Sequence, residues 1–224
     1  MRATWDALAS APTEVVVGDP ARARQELESL FSRLGADPRG GICVEVGCGP
    51  GRMTGLLAER FEQVLALDVS PAMLEQARAA VSAGNVEFVA AGGERLDGVD
   101  DSSADVLVCY LVLQHLPSRD AVLGYLGEFA RVLRPEGEAF VQLPVFDAGL
   151  RPRFWRAARS VLVPLTQRLS KEPSRSAAFR GFRLSETELE RGLRAAGLKV
   201  LARDEGPDAP YRYSRDRFLR LARA

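Results

Sequence analysis

Apolar and polar positions between residues 42 and 143 repeat in a strand–helix order. Short, almost wholly apolar runs predict buried strands at 42–46, 64–68, 86–90, 104–110 and 139–143. Between these runs, apolar residues recur every three or four positions and predict helices at 53–61, 71–81 and 121–133. Strands that are buried on both faces and connected by helices predict an α/β fold with a Rossmann-like, doubly wound sheet.

The pattern continues on both sides of this stretch. An amphipathic helix is predicted over 20–34, with Asp19 as its N-cap and Pro20 in its first turn. Ser185 and Glu188 fit a capping box, and Gly197 fits the C-cap of the helix that this box begins. Candidate last strands follow at 200–202 and 218–221.

Four segments follow from this pattern. We expect a helical N-terminal cap at 1–40, a ligand-binding core at 41–146, and a C-terminal helix with the last strands at 184–224. The segment 147–183 departs from the strand–helix order, because Pro152, Pro164 and Pro173 interrupt an apolar helical face.

Charge divides along the same boundary, although the formal net charge is zero. Residues 1–150 contain 12 arginines and 22 acidic residues, whereas residues 151–224 contain 16 arginines, 2 lysines and 8 acidic residues. Nine basic residues and one acidic residue, Glu172, fall within 151–183. We expect this segment to form a lid or wall that contacts an anionic or lipid-like ligand. A solvated arginine-rich surface, docking on a membrane surface, and pairing with the acidic core are the alternatives, and the zero net charge disfavours a nucleic acid.

Cysteine usage and the N-terminus bear on the compartment. Three cysteines provide neither a disulfide framework nor a zinc-binding pattern, so we expect a reduced protein without a metal site. No apolar run reaches membrane-spanning length, and no signal-peptide core is visible, which predicts a cytoplasmic location. Only two of the 30 basic residues are lysines, which is typical of a GC-rich, bacterial genome. The oligomeric state stays open.

A glycine-rich turn follows the first strand of the core. Gly47, Gly49 and Gly51 allow positive φ angles and let a ligand approach the main chain at the carboxyl edge of the sheet. Arg52 stands where the dinucleotide pattern requires its third glycine, and Glu45 would oppose a pyrophosphate but suits a cationic amino group. Asp68 ends the second strand, where it can accept hydrogen bonds from a ribose diol or cap the next helix.

Several motifs in this order resemble the class I S-adenosylmethionine-dependent methyltransferases. They are the glycine turn with Glu45, the run Ala66-Leu67-Asp68-Val69-Ser70-Pro71-Ala72-Met73-Leu74, the strand 104–110, Leu113-Gln114-His115 and Leu133-Arg134-Pro135-Glu136-Gly137. The resemblance covers residues 40–146. It implies a seven-stranded sheet with an antiparallel last strand, here 218–221, and S-adenosyl-L-methionine as the cofactor.

The same resemblance implies a set of cofactor contacts. Glu45 and the turn would hold the methionine part, Asp68 the ribose, and Val69 and Met73 the adenine. The full set is Glu45, Gly47, Cys48, Gly49, Gly51, Arg52, Asp68, Val69, Met73, Gly93, Glu94, Cys109 and Tyr110. Gly92 occupies the position of an aspartate that commonly meets the adenine amino group, so the main chain near Gly93 or the side chain of Glu94 is expected to replace it.

His115 is the one histidine of the chain and follows the fourth strand on the cofactor side. It can act as the general base that a hydroxyl acceptor needs, or it can be a structural residue. Residues 109–112 lack the Asn/Asp-Pro-Pro-Tyr/Phe motif of nucleobase-amine methyltransferases. We therefore expect methyl transfer to a small-molecule acceptor, at an oxygen of a natural-product or sugar-like compound.

Two other functions stay open on the sequence. A protein that binds the cofactor without transferring its methyl group, such as a cyclase or a sensing module, would carry the same glycine turn and Asp68. A nicotinamide-dependent oxidoreductase is disfavoured by Glu45 and Arg52.

Overall fold

The computed structural model describes residues 2–9, 20–146, 181–208 and 214–224. The α-helices within these ranges are α1 (Arg2–Leu8), α2 (Ala23–Arg33), α3 (Thr54–Ala58), α4 (Pro71–Ala80), α5 (Arg119–Val132) and α6 (Glu186–Ala195). Short 3₁₀ helices span Pro20–Arg22 and Leu113–His115. The strands are β1 (Ile42–Val46), β2 (Gln63–Asp68), β3 (Val86–Ala90), β4 (Ala104–Cys109), β5 (Leu133–Phe146), β6 (Leu184–Ser185), β7 (Leu198–Asp208) and β8 (Ser214–Arg223).

One sheet contains all of these strands, in the order β3-β2-β1-β4-β5-β8-β7, with the two-residue β6 paired to β5. The pairs β1–β2, β1–β4, β2–β3 and β4–β5 are parallel, whereas β8 is antiparallel to both β5 and β7. The predicted Rossmann-like architecture and antiparallel last strand are therefore confirmed. The short β6 is an eighth strand that the sequence pattern did not reveal.

Helices cover both faces of the sheet. On one face, α2 and α3 pack Leu27, Leu30, Phe31 and Leu57 against strand residues that include Phe140. On the other face, α5 and α6 contribute Leu126, Phe129, Leu189 and Leu193 to a second apolar cluster. Every one of these side chains is at most 5% exposed. The apolar strands and the amphipathic helices on both sides of them therefore pack as a three-layer core.

Helix starts agree with the capping residues in the sequence. Ser70 accepts a hydrogen bond from the Met73 N–H, and Ser185 and Glu188 form the predicted capping box. The main differences lie at the ends of elements. Strand β5 begins at Leu133 instead of 139, because Gly137 lets it approach β4 so closely that a Cβ there would lie 2.7 Å from the Ala104 carbonyl oxygen.

The strand register brings three carboxyl ends together. Val46 of β1 pairs with Leu67 of β2 on one side and with Cys109 of β4 on the other. The residues that follow these strands therefore converge at one edge of the sheet, which is where parallel α/β sheets bind ligands.

Two sequence predictions fall largely outside this description. Asp19 lies outside the described residues. Of the basic segment 147–183, the structure describes only residues 181–183. Among the helices that are described, none combines the length and the apolar character needed to cross a membrane.

Candidate active site

A cavity of about 400 Å³ opens at the carboxyl edge of β1, β2 and β4. Most of the residues predicted from the sequence line it. They are Glu45, Gly47, Cys48, Gly49, Arg52, Asp68, Val69, Met73, Tyr110 and His115. The fold therefore brings together, in one concave site, residues that come from widely separated parts of the sequence.

Four predicted residues do not line this cavity. Gly51 packs against α4, where a Cβ would lie 3.2 Å from the Ala77 main chain, and Cys109 is fully buried within β4. In the loop after β3, Gly93 is buried and the Glu94 side chain is exposed. From this loop region, Ala91 and Leu96 line the cavity instead.

Other lining residues had no predicted cofactor or catalytic role of their own. They are Trp5, Glu26, Val46, Met53, Leu67, Ala91, Leu96, Val108, Leu111, Val112, Gln114, Leu116 and Tyr125. Several of them lie in or next to one of the sequence motifs, and this position in the sequence is what could have identified them as lining residues. Trp5 lies in the predicted N-terminal cap, whereas Tyr125 comes from a helix whose apolar face looks like ordinary core, so periodicity could not identify it.

The glycine turn has the backbone that its sequence requires. Gly47, Gly49 and Gly51 have φ angles of 72°, 54° and 85°, in the region that L side chains rarely adopt. The main-chain N–H groups of Gly47 and Cys48 both donate to the Leu67 carbonyl, at 2.7 and 2.9 Å. These bonds tie the turn to the end of β2, next to Asp68.

Asp68 is fixed by the main chain on both sides. Its Oδ2 accepts from the Gly49 N–H at 2.9 Å and its Oδ1 from the Ser70 N–H at 2.9 Å. Burial raises the pKa of Asp68, although these hydrogen bonds lower it. The carboxylate offers about four lone-pair sites, and the main-chain N–H groups of Gly49, Ser70 and Val69 do not use all of them, so the side chain can still accept a hydrogen bond from a ligand in the cavity. The helix-cap alternative belongs to Ser70, whose hydroxyl caps α4.

Glu45 is a buried carboxylate with a single side-chain hydrogen bond described. Its Oε2 accepts from the Thr54 hydroxyl at 2.6 Å, and the residue is 5% exposed. Burial raises the pKa of Glu45 to about 7, with a further increase from the Asp68 charge; the Thr54 hydrogen bond and Arg52 oppose the shift. A cation that enters the cavity beside Glu45 would remove this electrostatic cost.

Arg52 pairs with a residue from a different element. Its Nη1 lies 2.6 Å from Oε2 of Glu26 on α2, and its side chain is 8% exposed. Tyr110 lines the same cavity, and burial raises the pKa of its hydroxyl to about 12. The ion pair with Glu26 leaves other guanidinium N–H groups of Arg52 available to an anion.

The N-terminal helix α1 covers the cavity from the side of α4. The Arg2 guanidinium donates to the Val69 carbonyl at 2.9 Å, and the Ser70 hydroxyl donates to Asp6 at 2.5 Å. These bonds place Trp5 against His115, with ring centroids 5.1 Å apart and an edge-on geometry. Side chains from α1 and from the segment after β4 therefore meet across the opening.

His115 ends the short 3₁₀ helix after β4. The Gln114 side-chain nitrogen lies 3.2 Å from Nε2 of His115 and 3.3 Å from the Leu111 carbonyl oxygen. An amide nitrogen only donates, so this contact is a hydrogen bond in the tautomer of His115 that carries its proton on Nδ1. His115 is thus oriented by its neighbour as well as by Trp5.

In the loop after β3, Asp97 fills the space that a side chain at position 92 would need. A Cβ built on Gly92 would lie 2.7 Å from Oδ2 of Asp97. The same oxygen accepts from the Gly92 N–H at 2.8 Å. Burial raises the pKa of the cavity-lining Tyr125, and the charges of Asp68 and Asp97 add to the shift.

Comparisons with known proteins agree with this arrangement. Residues 44–141, which include the glycine turn, Asp68 and His115, match the family model of the methyltransferase domain. A trans-aconitate 2-methyltransferase from Methylobacterium nodulans is 35% identical over 161 residues, which are 70% of this chain and 57% of that protein. A ubiquinone biosynthesis O-methyltransferase from Xanthomonas axonopodis pv. citri is 30% identical over 117 residues, 51% of this chain and 47% of that protein. The chain spans about half the length of these relatives.

The fold also matches solved structures. A SAM-dependent methyltransferase from Leishmania major superposes with a TM-score of 0.69 at 17% identity, over 98% of this chain and 81% of that one. At this identity the likeness concerns the fold, and the family model concerns the site-bearing residues. Together they show that the α/β core of the chain, at residues 44–141, is a methyltransferase domain with the fold of this S-adenosylmethionine-dependent methyltransferase.

Proposed function

We propose that this protein transfers a methyl group from S-adenosylmethionine to an oxygen of a small-molecule acceptor of the natural-product or sugar-like class. One observation carries the proposal: a single cavity has two carboxylates with raised pKa values, Glu45 and Asp68, beside a glycine turn, and a histidine and aromatic side chains in its other walls. The relatives' names, which refer to trans-aconitate and to O-methylation in ubiquinone biosynthesis, support a small acceptor and an oxygen.

The residues fit the methionine part of the cofactor. Glu45 would accept hydrogen bonds from the amino group, whose positive charge would compensate the buried carboxylate. Arg52 would donate to the carboxylate group with the N–H groups that Glu26 does not use. The Gly47–Gly49 turn leaves its main chain open to the approach of this zwitterion.

The residues fit the nucleoside part as well. Asp68 would accept from both ribose hydroxyls, while Val69, Met73 and Leu96 provide an apolar slot for the ring. We assign the adenine amino group to Asp97, because its carboxylate occupies the space of the missing side chain at Gly92. Gly93 and Glu94 stay candidates from the sequence pattern; like Asp97, neither lines the cavity, whose nearest lining residues in this loop are Ala91 and Leu96.

Methyl transfer from a sulfonium makes modest demands on the protein. The cofactor supplies an activated methyl group, so the chain's own residues have to align the acceptor oxygen with it and exclude water. Trp5, Tyr110 and Leu111 form the wall that would do this. We propose that His115 takes the proton of a hydroxyl acceptor through Nε2, once the acceptor replaces the contact with Gln114.

Acceptor recognition is proposed to include the basic segment 147–183, whose charge suits an anionic or lipid-like acceptor. Its described flanks support this position. Phe146 at the end of β5 pairs with Ser185 of β6, and Gly181 lies against the main chain of Gln114. We also retain the bacterial cytoplasm as the proposed location, in keeping with three cysteines that are all buried and free.

The two alternative functions, an oxidoreductase and a cofactor-binding protein without methyl transfer, are not equally well supported. The matched family is one of methyltransferases, which favours that activity over a nicotinamide-dependent oxidoreductase. A cofactor-binding protein without methyl transfer would share the Glu45 and Asp68 arrangement, so only turnover separates it from an enzyme.

Calorimetry and an acceptor screen test the proposal. S-adenosylhomocysteine should bind, NAD should not, and Asp68→Ala should weaken binding by ~100-fold, since charge-assisted hydrogen bonds contribute about 1.5–3 kcal/mol each. Glu75→Ala, an exposed carboxylate on α4, is the matched control and should leave binding unchanged. Release of S-adenosylhomocysteine with a hydroxyl or carboxylate acceptor is the expected outcome of the screen. Binding of NAD alone would refute the proposal, and cofactor binding without any turnover would leave the sensing function.

A further inference from the structure

Gln142 is a buried amide in the middle of an otherwise apolar stretch of β5. It is 1% exposed, and its neighbours Val141 and Leu143 belong to the hydrophobic core. A buried side-chain amide is unfavourable unless its polar atoms find partners. Both atoms do: Oε1 accepts from the Leu111 N–H at 3.1 Å, and Nε2 donates to Oδ1 of Asp216 at 2.8 Å.

These two bonds form a chain from β8, through β5, to the end of β4. Because Asp216 accepts and the Leu111 N–H donates, the amide of Gln142 can satisfy both only in this orientation. Asp216 is half-buried, and the charged groups that act on it are Arg183, before β6, and Arg217, on β8. The charge of Asp216 in turn contributes to the raised pKa of the Tyr110 hydroxyl at the end of β4, where burial is the main cause.

Leu111, at the other end of this chain, has an unusual conformation. Its φ is +60°, in the left-handed region that a leucine rarely adopts. Such a conformation persists only where the surroundings fix it. The hydrogen bond from Leu111 to Gln142 and the contact of the Gln114 side chain with the Leu111 carbonyl provide that restraint.

The loop that begins at Leu111 forms one wall of the cavity and is packed closely on two sides. A Cβ on Gly47 would lie 2.4 Å from Val112, so the loop rests directly on the glycine turn. On its other side, a Cβ on Gly181 would lie 1.9 Å from the Gln114 carbonyl oxygen, and the Phe182 N–H donates to Leu116 at 2.7 Å. We therefore expect a change in the conformation of Leu111 to move His115, which belongs to the same closely packed loop.

We propose that Gln142 and Asp216 are positioning residues that hold Leu111 in its left-handed conformation and thereby place His115 and the 111–116 wall of the cavity. The role in catalysis rests on the proposed function, but the positioning itself does not. Neither residue lines the cavity. They act through hydrogen bonds to the wall rather than by contact with acceptor or cofactor.

The sharpest test exchanges the amide and the carboxyl group between positions 142 and 216. In the variant Gln142→Glu, burial and the Asp216 charge favour the protonated form of the introduced carboxyl, which can donate to Asp216 and accept from Leu111. The chain of bonds should therefore persist at low pH and break as pH rises and both carboxyls ionise. In the double variant Q142E/D216N, the introduced asparagine amide donates to the introduced carboxylate, so the chain should persist at every pH.

Two readouts follow the loop without an acceptor. Hydrogen exchange of the Leu111 amide reports its bond to residue 142. Emission of Trp5, measured with Trp155→Phe so that a single tryptophan remains, reports the approach of His115, because protonated imidazole quenches indole. Gln142→Ala should speed Leu111 exchange at least ~10-fold and remove about half or more of the pH-dependent quenching. Val141→Ala, in the same strand and fully buried, is the control for lost core packing.

Rescue decides the outcome. Q142E/D216N should restore wild-type exchange of the Leu111 amide at about pH 8, where Gln142→Glu alone has lost it. The proposal is overturned if the double variant remains as impaired as the single one, or if Gln142→Ala behaves like Val141→Ala. Neither readout requires methyl transfer, so absence of S-adenosylhomocysteine binding or turnover would refute the proposed function and leave this inference standing. If Gln142→Ala does not fold, the pH comparison of the two glutamate variants still decides.

Discussion

The two ends of the cavity are built in different ways. At the end that we assign to the cofactor, Glu45, the glycine turn and Asp68 lie close together in sequence and are fixed largely by main-chain hydrogen bonds. At the end assigned to the acceptor, Trp5, His115 and Gly181 come from distant parts of the chain and are held by side-chain contacts and close packing. A site fixed by its own backbone keeps its shape, whereas a site assembled from distant segments can change with any of them.

Gly47 touches both ends and should show the largest effect. Gly47→Ala would place a Cβ 2.4 Å from Val112 at a φ of +72°. Strain of this kind costs about 1–3 kcal/mol, and the overlap adds to it, so we expect S-adenosylhomocysteine affinity to fall by ~300-fold and turnover with it. Calorimetry and a turnover assay measure the two losses.

Gly55 is the matched control for this substitution. It lies in α3, and nothing lies within 4 Å of the position that a Cβ would take there, so Gly55→Ala should keep affinity and turnover. If Gly47→Ala reduced turnover while affinity stayed at its wild-type value, the turn would serve the acceptor wall alone, and the division into two ends would need revision.

The same contrast explains what the sequence could predict. The Gly47–Gly51 turn and Asp68 were predictable because the backbone conformation and the ligand chemistry depend on residues that are close in sequence. The parallel strands and their helices were predictable for a similar reason, since burial on both faces leaves a continuous apolar run.

Residues held by distant partners were not predictable in this way. The Gln142 amide depends on Leu111 and Asp216, and nothing in the strand pattern around it indicates a polar contact. Asp97 occupies the space beside Gly92 only because the loop after β3 folds back on itself. The ends of β5 and β7 depend on pairing with neighbouring strands. The β-propensity of a single strand does not predict such pairing.

His115 tests the acceptor end alone. A positioned general base contributes roughly 100-fold or more to transfer to a hydroxyl, so His115→Asn should lower kcat by ~100-fold while S-adenosylhomocysteine affinity stays within about two-fold. A carboxylate oxygen is already deprotonated and needs no base. A kcat within about three-fold of wild type, in steady-state assays with a hydroxyl acceptor, would contradict the base role and leave His115 as a structural residue beside Trp5.

Glu45 tests the cofactor end alone, through pH. Since burial raises its pKa to about 7, the free protein carries a proton there below pH 7 that must leave before an ammonium group can bind. S-adenosylhomocysteine affinity should therefore rise about ten-fold per pH unit between about pH 5.5 and 7 and level off above 7. Glu45→Gln should bind more weakly at about pH 8 and lose this dependence. A pH slope that survives in Glu45→Gln would assign the proton to another group, with Asp68 the first to examine.

The smallest effect should come from the basic segment, whose contribution to the acceptor end is a prediction from charge. Replacing Arg153, Arg156 and Arg159 together by glutamine removes three positive charges, each worth about 0.2–1 kcal/mol if it pairs at an exposed site. We expect KM for an anionic acceptor to rise about five-fold, with kcat and cofactor affinity unchanged.

The matched control removes the same charge elsewhere: Arg191, Arg194 and Lys199 are exposed on and beyond α6. Replacing these three by glutamine should leave KM unchanged at the same ionic strength, because exposed charges beyond a Debye length of ~8–10 Å are screened. An equal rise in KM for both triple variants would mean that the acceptor responds to the overall charge of the protein. In that case the acceptor end would consist of the wall around Trp5 and His115, and its specificity would depend on shape rather than on the arginines of 147–183.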